Sequence, residues 1–305
     1  MLRPRVLVTA VTVVVALAIG AAPAAADHLP VIYNGVYGYG HSHPTASPPG
    51  SNDWTCRPSA EHPRPVVLVH GTFANRANSW QAISPLLHNK GYCVFALNYG
   101  SYAGSGALGV YGTGDIPRSA GRLGAFIDRV LAATGAGEVD LVGHSQGGMM
   151  PRWYLKHAAG ATEKVGTLVG LSSSNHGTTA SGLFVLSSFF PGADAFTGAL
   201  CPACRQQKRG SAFMERLNAG GDTVAGVSYT VVQTRYDEVV TPYTSAFLSG
   251  PDVRNILLQN QCALDHGEHL SMPYDHIAAA DVLNALDPAH PVTPACTYVA
   301  PVAGG

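Results

Sequence analysis

Six short apolar runs recur along the chain, and each is followed by a polar or glycine-rich break. "PVVLVHG" (65–71) is β-branched and ends in glycine, which suits a strand buried on both faces of a parallel sheet. "YCVFALNYG" (92–100), "VDLVGH" (139–144), "VGTLVGLSS" (165–173), "SYTVVQT" (228–234) and "VRNILLQN" (253–260) have the same character. Between them the apolar positions take helical spacing. "NSWQAISPLLHNKG" (78–91) stops at a glycine, with Pro85 near its first turn or at a kink. "IPRSAGRLGAFIDRVLAATG" (116–135) has Asp115 as its N-cap and Pro117 at its start. Further helices are expected over 146–158 and 273–287. Strands alternating with helices predict an α/β fold, with a mostly parallel central sheet and helices on both faces.

Two regions break the rhythm. Residues 27–65, rich in Pro, Gly, His and Ser, read as an irregular N-terminal arm ahead of one domain over 66–305. Residues 176–222 leave the strand–helix alternation, carry the apolar stretch "GLFVLSSFFPGADAF", and return to helix in "SAFMERLNAGGD". They read as a small cap or lid excursion off the core.

Composition narrows the classes. The 305 residues are 46% hydrophobic and 12% charged, enough for a sizeable core. A net charge of −1 argues against a nucleic-acid partner. Arg3 and Arg5 precede an apolar run to Ile19 and the small residues Ala24 and Ala26, which reads as a signal peptide over 1–26 and a secreted, extracellular protein. That run falls short of the ~20 residues that span a bilayer, so no stable membrane insertion is expected. Six cysteines then suggest three disulfides. The pairing expected is Cys56–Cys93, Cys201–Cys204 and Cys262–Cys296. A local staple is the preferred reading of "CPAC" (201–204). A redox motif would need a thioredoxin-like setting, and zinc would need a second close pair of ligands.

The chemistry centres on "GHSQG" (143–147). This is G-x-S-x-G between a strand and a helix, the setting in which the motif forms a tight turn presenting its serine. Ser145 would then project beyond the carboxyl edge of the sheet, beside a helix N-terminus that favours developing negative charge. A serine hydroxyl is a weak nucleophile and needs a base, itself oriented by an acid. In this fold the acid and histidine follow the serine in that order. "TVVQTRYDEVVTP" supplies Asp237 and Glu238 just past a strand, and Asp237 is preferred as nearer the strand end. Of the histidines downstream, His266 and His269 both suit by position. His276 falls inside the last helix and His290 near a Pro-rich tail, while His176 precedes the acid. Oxyanion donors are expected from the backbone N–H of Gln146 and from Thr72, through its N–H and its hydroxyl. His70 reads as a brace for that loop.

Taken together, "VVLVHGTFANRANSW", "GYCVFALNYG", "VDLVGHSQGGMMPRWYL", "SNHGTT", "YDEVVTP" and "LQNQC…EHL" resemble secreted bacterial class 2 triacylglycerol lipases, α/β-hydrolases related to the fungal lipase B type. The resemblance spans roughly residues 54 to 290. It implies an α/β-hydrolase fold, a nucleophile at Ser145, an acid at Asp237, a base at His269 (the histidine of "EHL") and oxyanion donors at Thr72 and Gln146. The excursion resembles a lid, and Phe184, Leu186 and Phe189 are expected to line an acyl-chain site.

The function expected is therefore hydrolysis of acylglycerol esters through an acyl-enzyme, with a lipid or ester partner at a lipid–water interface. No metal, no cofactor and a monomeric chain are expected. A short-chain esterase, thioesterase or polyester hydrolase on the same scaffold is the alternative enzyme. A catalytically inactive secreted binding protein is the alternative outside enzymes.

Overall fold

A computed structural model describes residues 28–35, 42–180 and 199–305. The expected signal peptide and the candidate acyl-chain residues Phe184, Leu186 and Phe189 lie outside the described residues. A six-stranded, all-parallel sheet forms the centre, in the order β2-β1-β3-β4-β5-β6. The strands are β1 (Val66–Val69), β2 (Val94–Leu97), β3 (Val139–His144), β4 (Val165–Leu171), β5 (Ser228–Gln233) and β6 (Val253–Leu257).

The unbroken apolar character of β1 has a simple cause. Its side chains alternate between two cores, Val67 and Val69 on one face, Val66 and Leu68 on the other. Long helices cover the first face: α3 (Ile116–Thr134) and α4 (Gln146–His157). In α3 the fully buried Ile116, Leu123, Ile127 and Val130 recur at helical spacing, Asp115 caps Arg118 N, and Gly135 ends the helix in a left-handed turn. The second face is packed by α2 (Ile83–Asn89) and by the last helix, α8 (His276–Leu286), through Ile83, Leu87, Ile277 and Val282.

Several strands are shorter than the apolar runs that predict them, and three elements differ further from the pattern reading. The helix expected over 78–91 divides into a short turn, α1 (Arg76–Ser79), and α2, because Trp80 turns inward to full burial between them. Its start is set by Asn75, whose side chain accepts Asn78 N while the Asn78 side chain accepts Asn75 N. β6 stops at Leu257 and yields to α7 (Leu258–Gln261). α8 begins at His276 rather than 273, since Asp275 caps Ile277 N and Ala278 N. In the described part of the excursion stand α5 (Pro202–Gln206) and α6 (Ala212–Asn218).

Residues ahead of the sheet close its outer edge. Asn52 N donates to Val94 O, and the Asn52 side chain bonds both the N–H and the carbonyl of Ala96, so part of the edge of β2 is paired. Trp54 packs on Phe95 and Phe126 with the Arg129 guanidinium over its ring. Disulfides join Cys56 to Cys93, Cys201 to Cys204 and Cys262 to Cys296. Among the described residues no helix is long and apolar enough to cross a membrane.

Candidate active site

The strand order places the site. From β1 the chain first turns outward to β2 and then crosses back to β3 on the other side of β1. Such a reversal leaves a crevice at the carboxyl ends of the two strands involved. Val69 of β1 is in register with Gly143 of β3, so the two segments His70-Gly71-Thr72 and His144-Ser145-Gln146 leave the sheet side by side.

Ser145 sits on the corner between β3 and α4 with φ 55 and ψ −121. A non-glycine residue there is strained by about 1–3 kcal/mol and needs surroundings that hold it. Its N–H donates to Leu171 O at 2.8 Å, tying the corner to β4. The flanking glycines are required by close approach. A Cβ on Gly143 would lie 1.9 Å from Gly147 O, and one on Gly147 would lie 2.0 Å from Val69 O. The Ser145 side chain makes no capping bond to α4 and opens onto a cavity of about 570 Å³.

His269 and Asp237 meet at the same cavity edge. Asp237 follows β5 and His269 follows β6, adjacent strands of the sheet. His269 Nδ1 lies 3.0 Å from Asp237 Oδ2, and both side chains are buried. The second Asp237 oxygen accepts Val239 N and Val240 N. Burial pushes the Asp237 carboxyl up, but His269 and these N–H donors outweigh it and hold the pKa below the usual 3.8. For His269, burial alone would depress the imidazole, and the Asp237 carboxylate overcomes it, so the pKa stands above 6.5. With Nδ1 bound to the acid, Nε2 is the ring nitrogen left for the cavity that Ser145 also lines.

The other sequence candidates point elsewhere. The His266 ring stacks on Tyr236 and packs against Tyr298. His276 is bonded to the carbonyls of Gly305 and Ala295, and His290 to Asp287. His176 bonds Ser245 O and Asp222. His70 is fully buried between Gly71 O and Tyr99; burial pushes its pKa down to about 4, so it stays a neutral brace.

Thr72 lines the same cavity as Ser145 and His269. Its Oγ1 accepts from Gln146 Nε2 at 2.7 Å and from Gln207 Nε2 at 2.8 Å. Three residues of this site escaped the sequence reading. His144, the variable residue before the serine, donates its Nε2–H to His269 O at 2.8 Å; burial, then the neighbouring His269, push its pKa down to about 3, so it holds the backbone of His269 as a neutral group. Glu268 accepts the N–H groups of Leu270, Ser271 and Val302 and so pins the His269 loop. Gln207 lies at the end of α5. The contacts of His144 and Gln207 join residues distant in sequence, and Glu268 combines a local turn with the distant Val302 N–H, so the short motifs do not assign them a role; for His144 the G-x-S-x-G motif itself was the available signal.

Phe73, Leu270 and Val302, each at least half exposed, stand around the cavity mouth. No group of three or more His, Cys, Asp or Glu side chains that could hold a metal occurs among the described residues.

Comparison with known proteins places this architecture. The family model "Lipase (class 2)" matches residues 63–273. A triacylglycerol lipase of Pseudarthrobacter phenanthrenivorans is 35% identical over 120 residues, which is 37% of this chain and 34% of that protein. One of Burkholderia plantarii is 35% identical over 120 residues, again 37% of this chain and 30% of that protein. The match thus spans about a third of the length of these curated relatives. In fold, the chain is similar to Aspergillus fumigatus lipase B, with a TM-score of 0.58 and 23% identity, over 79% of this chain and 55% of the other. It is also similar to the mature Bacillus licheniformis lipase BlEst2, with a TM-score of 0.57 and 16% identity, over 78% of this chain and 96% of the other.

Proposed function

The chain belongs to the class 2 lipase family, and on that premise we propose that it is an exported serine hydrolase of carboxylic esters, acting on acylglycerols through Ser145, His269 and Asp237. The observation that carries this reading is the strained Ser145 backbone at the β3–α4 corner, opening on the same cavity as a buried His269–Asp237 pair.

In the proposed reaction, Ser145 Oγ attacks the ester carbonyl carbon as its proton passes to His269 Nε2. Asp237 steadies the resulting imidazolium. The carbonyl oxygen becomes an oxyanion and takes hydrogen bonds from the N–H groups of Thr72 and Gln146 and from the Thr72 hydroxyl. Collapse breaks the ester C–O bond, and the imidazolium gives its proton to the leaving alcohol. Water, deprotonated by His269, then attacks the acyl-enzyme and releases the acid. The chemistry calls on no metal or organic cofactor.

Phe73, Leu270 and Val302 at the mouth support an apolar acyl substrate presented at a lipid–water interface. Three disulfides support export to an oxidising compartment. The test is hydrolysis of p-nitrophenyl esters from short to long acyl chains by the wild type beside Ser145→Ala and His269→Ala. Both variants are expected to melt near the wild-type temperature with turnover close to background. Undiminished turnover by Ser145→Ala would remove the reading. A rate confined to the shortest esters would replace the lipase by an esterase on the same scaffold.

A further inference from the structure

We propose that Gln207 is a positioning residue for this site: it occupies the second lone pair of Thr72 Oγ1 and thereby leaves the Thr72 hydroxyl able to act only as a donor toward the reacting carbonyl oxygen. The proposal rests on the oxyanion reading of Thr72.

A threonine hydroxyl has one proton and two lone pairs. Left alone beside a substrate it turns to suit any neighbour, and only an orientation that points the proton at the oxyanion serves it. Here both lone pairs are taken, by Gln146 Nε2 at 2.7 Å and Gln207 Nε2 at 2.8 Å. The amide orientations are set by carbonyls, which can only accept. Gln146 Nε2 also donates to Gly112 O at 2.7 Å, and Gln207 Nε2 is 3.3 Å from Ala203 O. Turning either amide over would set oxygen against oxygen. Gln207 is further held by Ser174, whose hydroxyl donates to its Oε1 at 2.8 Å. With both acceptor positions filled, the remaining tetrahedral direction at Oγ1 carries the proton, and Thr72 lines the cavity shared by Ser145 and His269.

Gln207 is placed for this by the base of the excursion. It follows α5, whose start is closed by the Cys201–Cys204 disulfide, and its carbonyl accepts Thr178 N at 2.9 Å. Its side chain is buried at the cavity wall. A preset donor needs no reorganisation when the charge develops, so its worth should appear in the turnover rate and little in substrate binding.

The test is a double-mutant cycle of Thr72→Val, which keeps the backbone N–H, and Gln207→Met, which keeps the length of the side chain but removes the donor. Steady-state kinetics on a short p-nitrophenyl ester and melting temperatures are measured for all four proteins. Thr72→Val is expected to lower kcat about 10²-fold. Gln207→Met is expected to lower kcat about tenfold with KM within about twofold, and to have less than about a twofold effect in the Thr72→Val background. Gln207→Glu, a carboxylate that draws the Thr72 proton toward itself, is expected to lose at least as much kcat as Gln207→Met, and it serves alone if the methionine variant does not fold. Equal losses from Gln207→Met in both backgrounds would make Gln207 a packing residue and overturn the proposal. A Gln207→Glu enzyme with wild-type kcat would overturn it too. An unchanged kcat in Thr72→Val would instead remove the oxyanion reading on which the proposal stands.

Discussion

Ser145 is held at φ 55 by what surrounds it, and the surroundings tolerate no additional atom. Gly147→Ala would drive a Cβ to 2.0 Å from Val69 O and 2.5 Å from His70 O, both backbone atoms. Such overpacking is expected to cost roughly 3 kcal/mol, read as a lowered urea midpoint, and to displace Ser145 enough to abolish ester turnover. At His269 the pH dependence has a definite sign. In the proposed mechanism the charged imidazole cannot accept the serine proton, so kcat/KM is expected to fall as pH drops through a pKa that stands above 6.5. Asp237→Asn removes the carboxylate that raises it. The acid limb of the profile is expected to move to lower pH, and kcat to fall by roughly 10⁴-fold. A limb that stays in place in that variant would mean that another group titrates. At this scale the sequence was legible wherever a motif is local. It marks Ser145 because G-x-S-x-G is contiguous. It narrows the histidine only to His266 or His269 by chain order, because which imidazole turns toward Asp237 depends on the Tyr236 and Tyr298 rings that receive the other.

Among elements, the strands follow from short apolar runs closed by breaks and the two long helices from helical spacing and caps, while the ends of elements do not. The 78–91 pattern is continuous in sequence, yet Trp80 leaves the helical path to bury its ring, and the helix divides there. The disulfides tie elements with unequal leverage. Cys56–Cys93 closes a separation of 37 residues and holds the arm carrying Trp54 against β2; Cys201–Cys204 closes a separation of 3. By loop entropy the first contributes about 4 kcal/mol and the second about 2. Replacing Cys56 and Cys93 with alanine is therefore expected to lower the unfolding free energy roughly twice as much as replacing Cys201 and Cys204. An equal or reversed loss in urea unfolding would show that the arm adds nothing to the sheet edge.

Across the whole molecule, the loop carrying His269 is joined to the start of α8 by two carboxyl groups. Asp265 accepts Gly267 N, Asp275 caps α8, and the Oδ2 atoms of both are buried without a donor. One proton between the pair satisfies both oxygens. Burial, then the nearby Asp265 charge, push the Asp275 carboxyl up to about 8. An acid whose pKa is raised by folding stabilises the fold below its unfolded value and loses that contribution as pH climbs through the folded one. The unfolding free energy is therefore expected to decline between about pH 4 and pH 8 through this pair. Asp275→Asn keeps the cap and supplies an N–H in place of the proton. Urea titrations at pH 5 and pH 8 should show a smaller decline for the variant, and an unchanged decline would place the pH dependence elsewhere.

The sequence by itself determined the strand–helix alternation that predicts a parallel sheet, the two helical layers and the serine corner, because each is written in a local pattern: short apolar runs, helical spacing, a cap, a cluster of glycines. Chain order left His266 beside His269 and the family resemblance pointed to His269; only the tertiary structure shows that imidazole against Asp237, His144 bonded to the backbone of His269, and Gln207 reaching Thr72 from more than a hundred residues away. Those relations depend on the strand order and on which buried donors find acceptors, and a hydrogen bond between distant residues leaves no periodic trace along the chain.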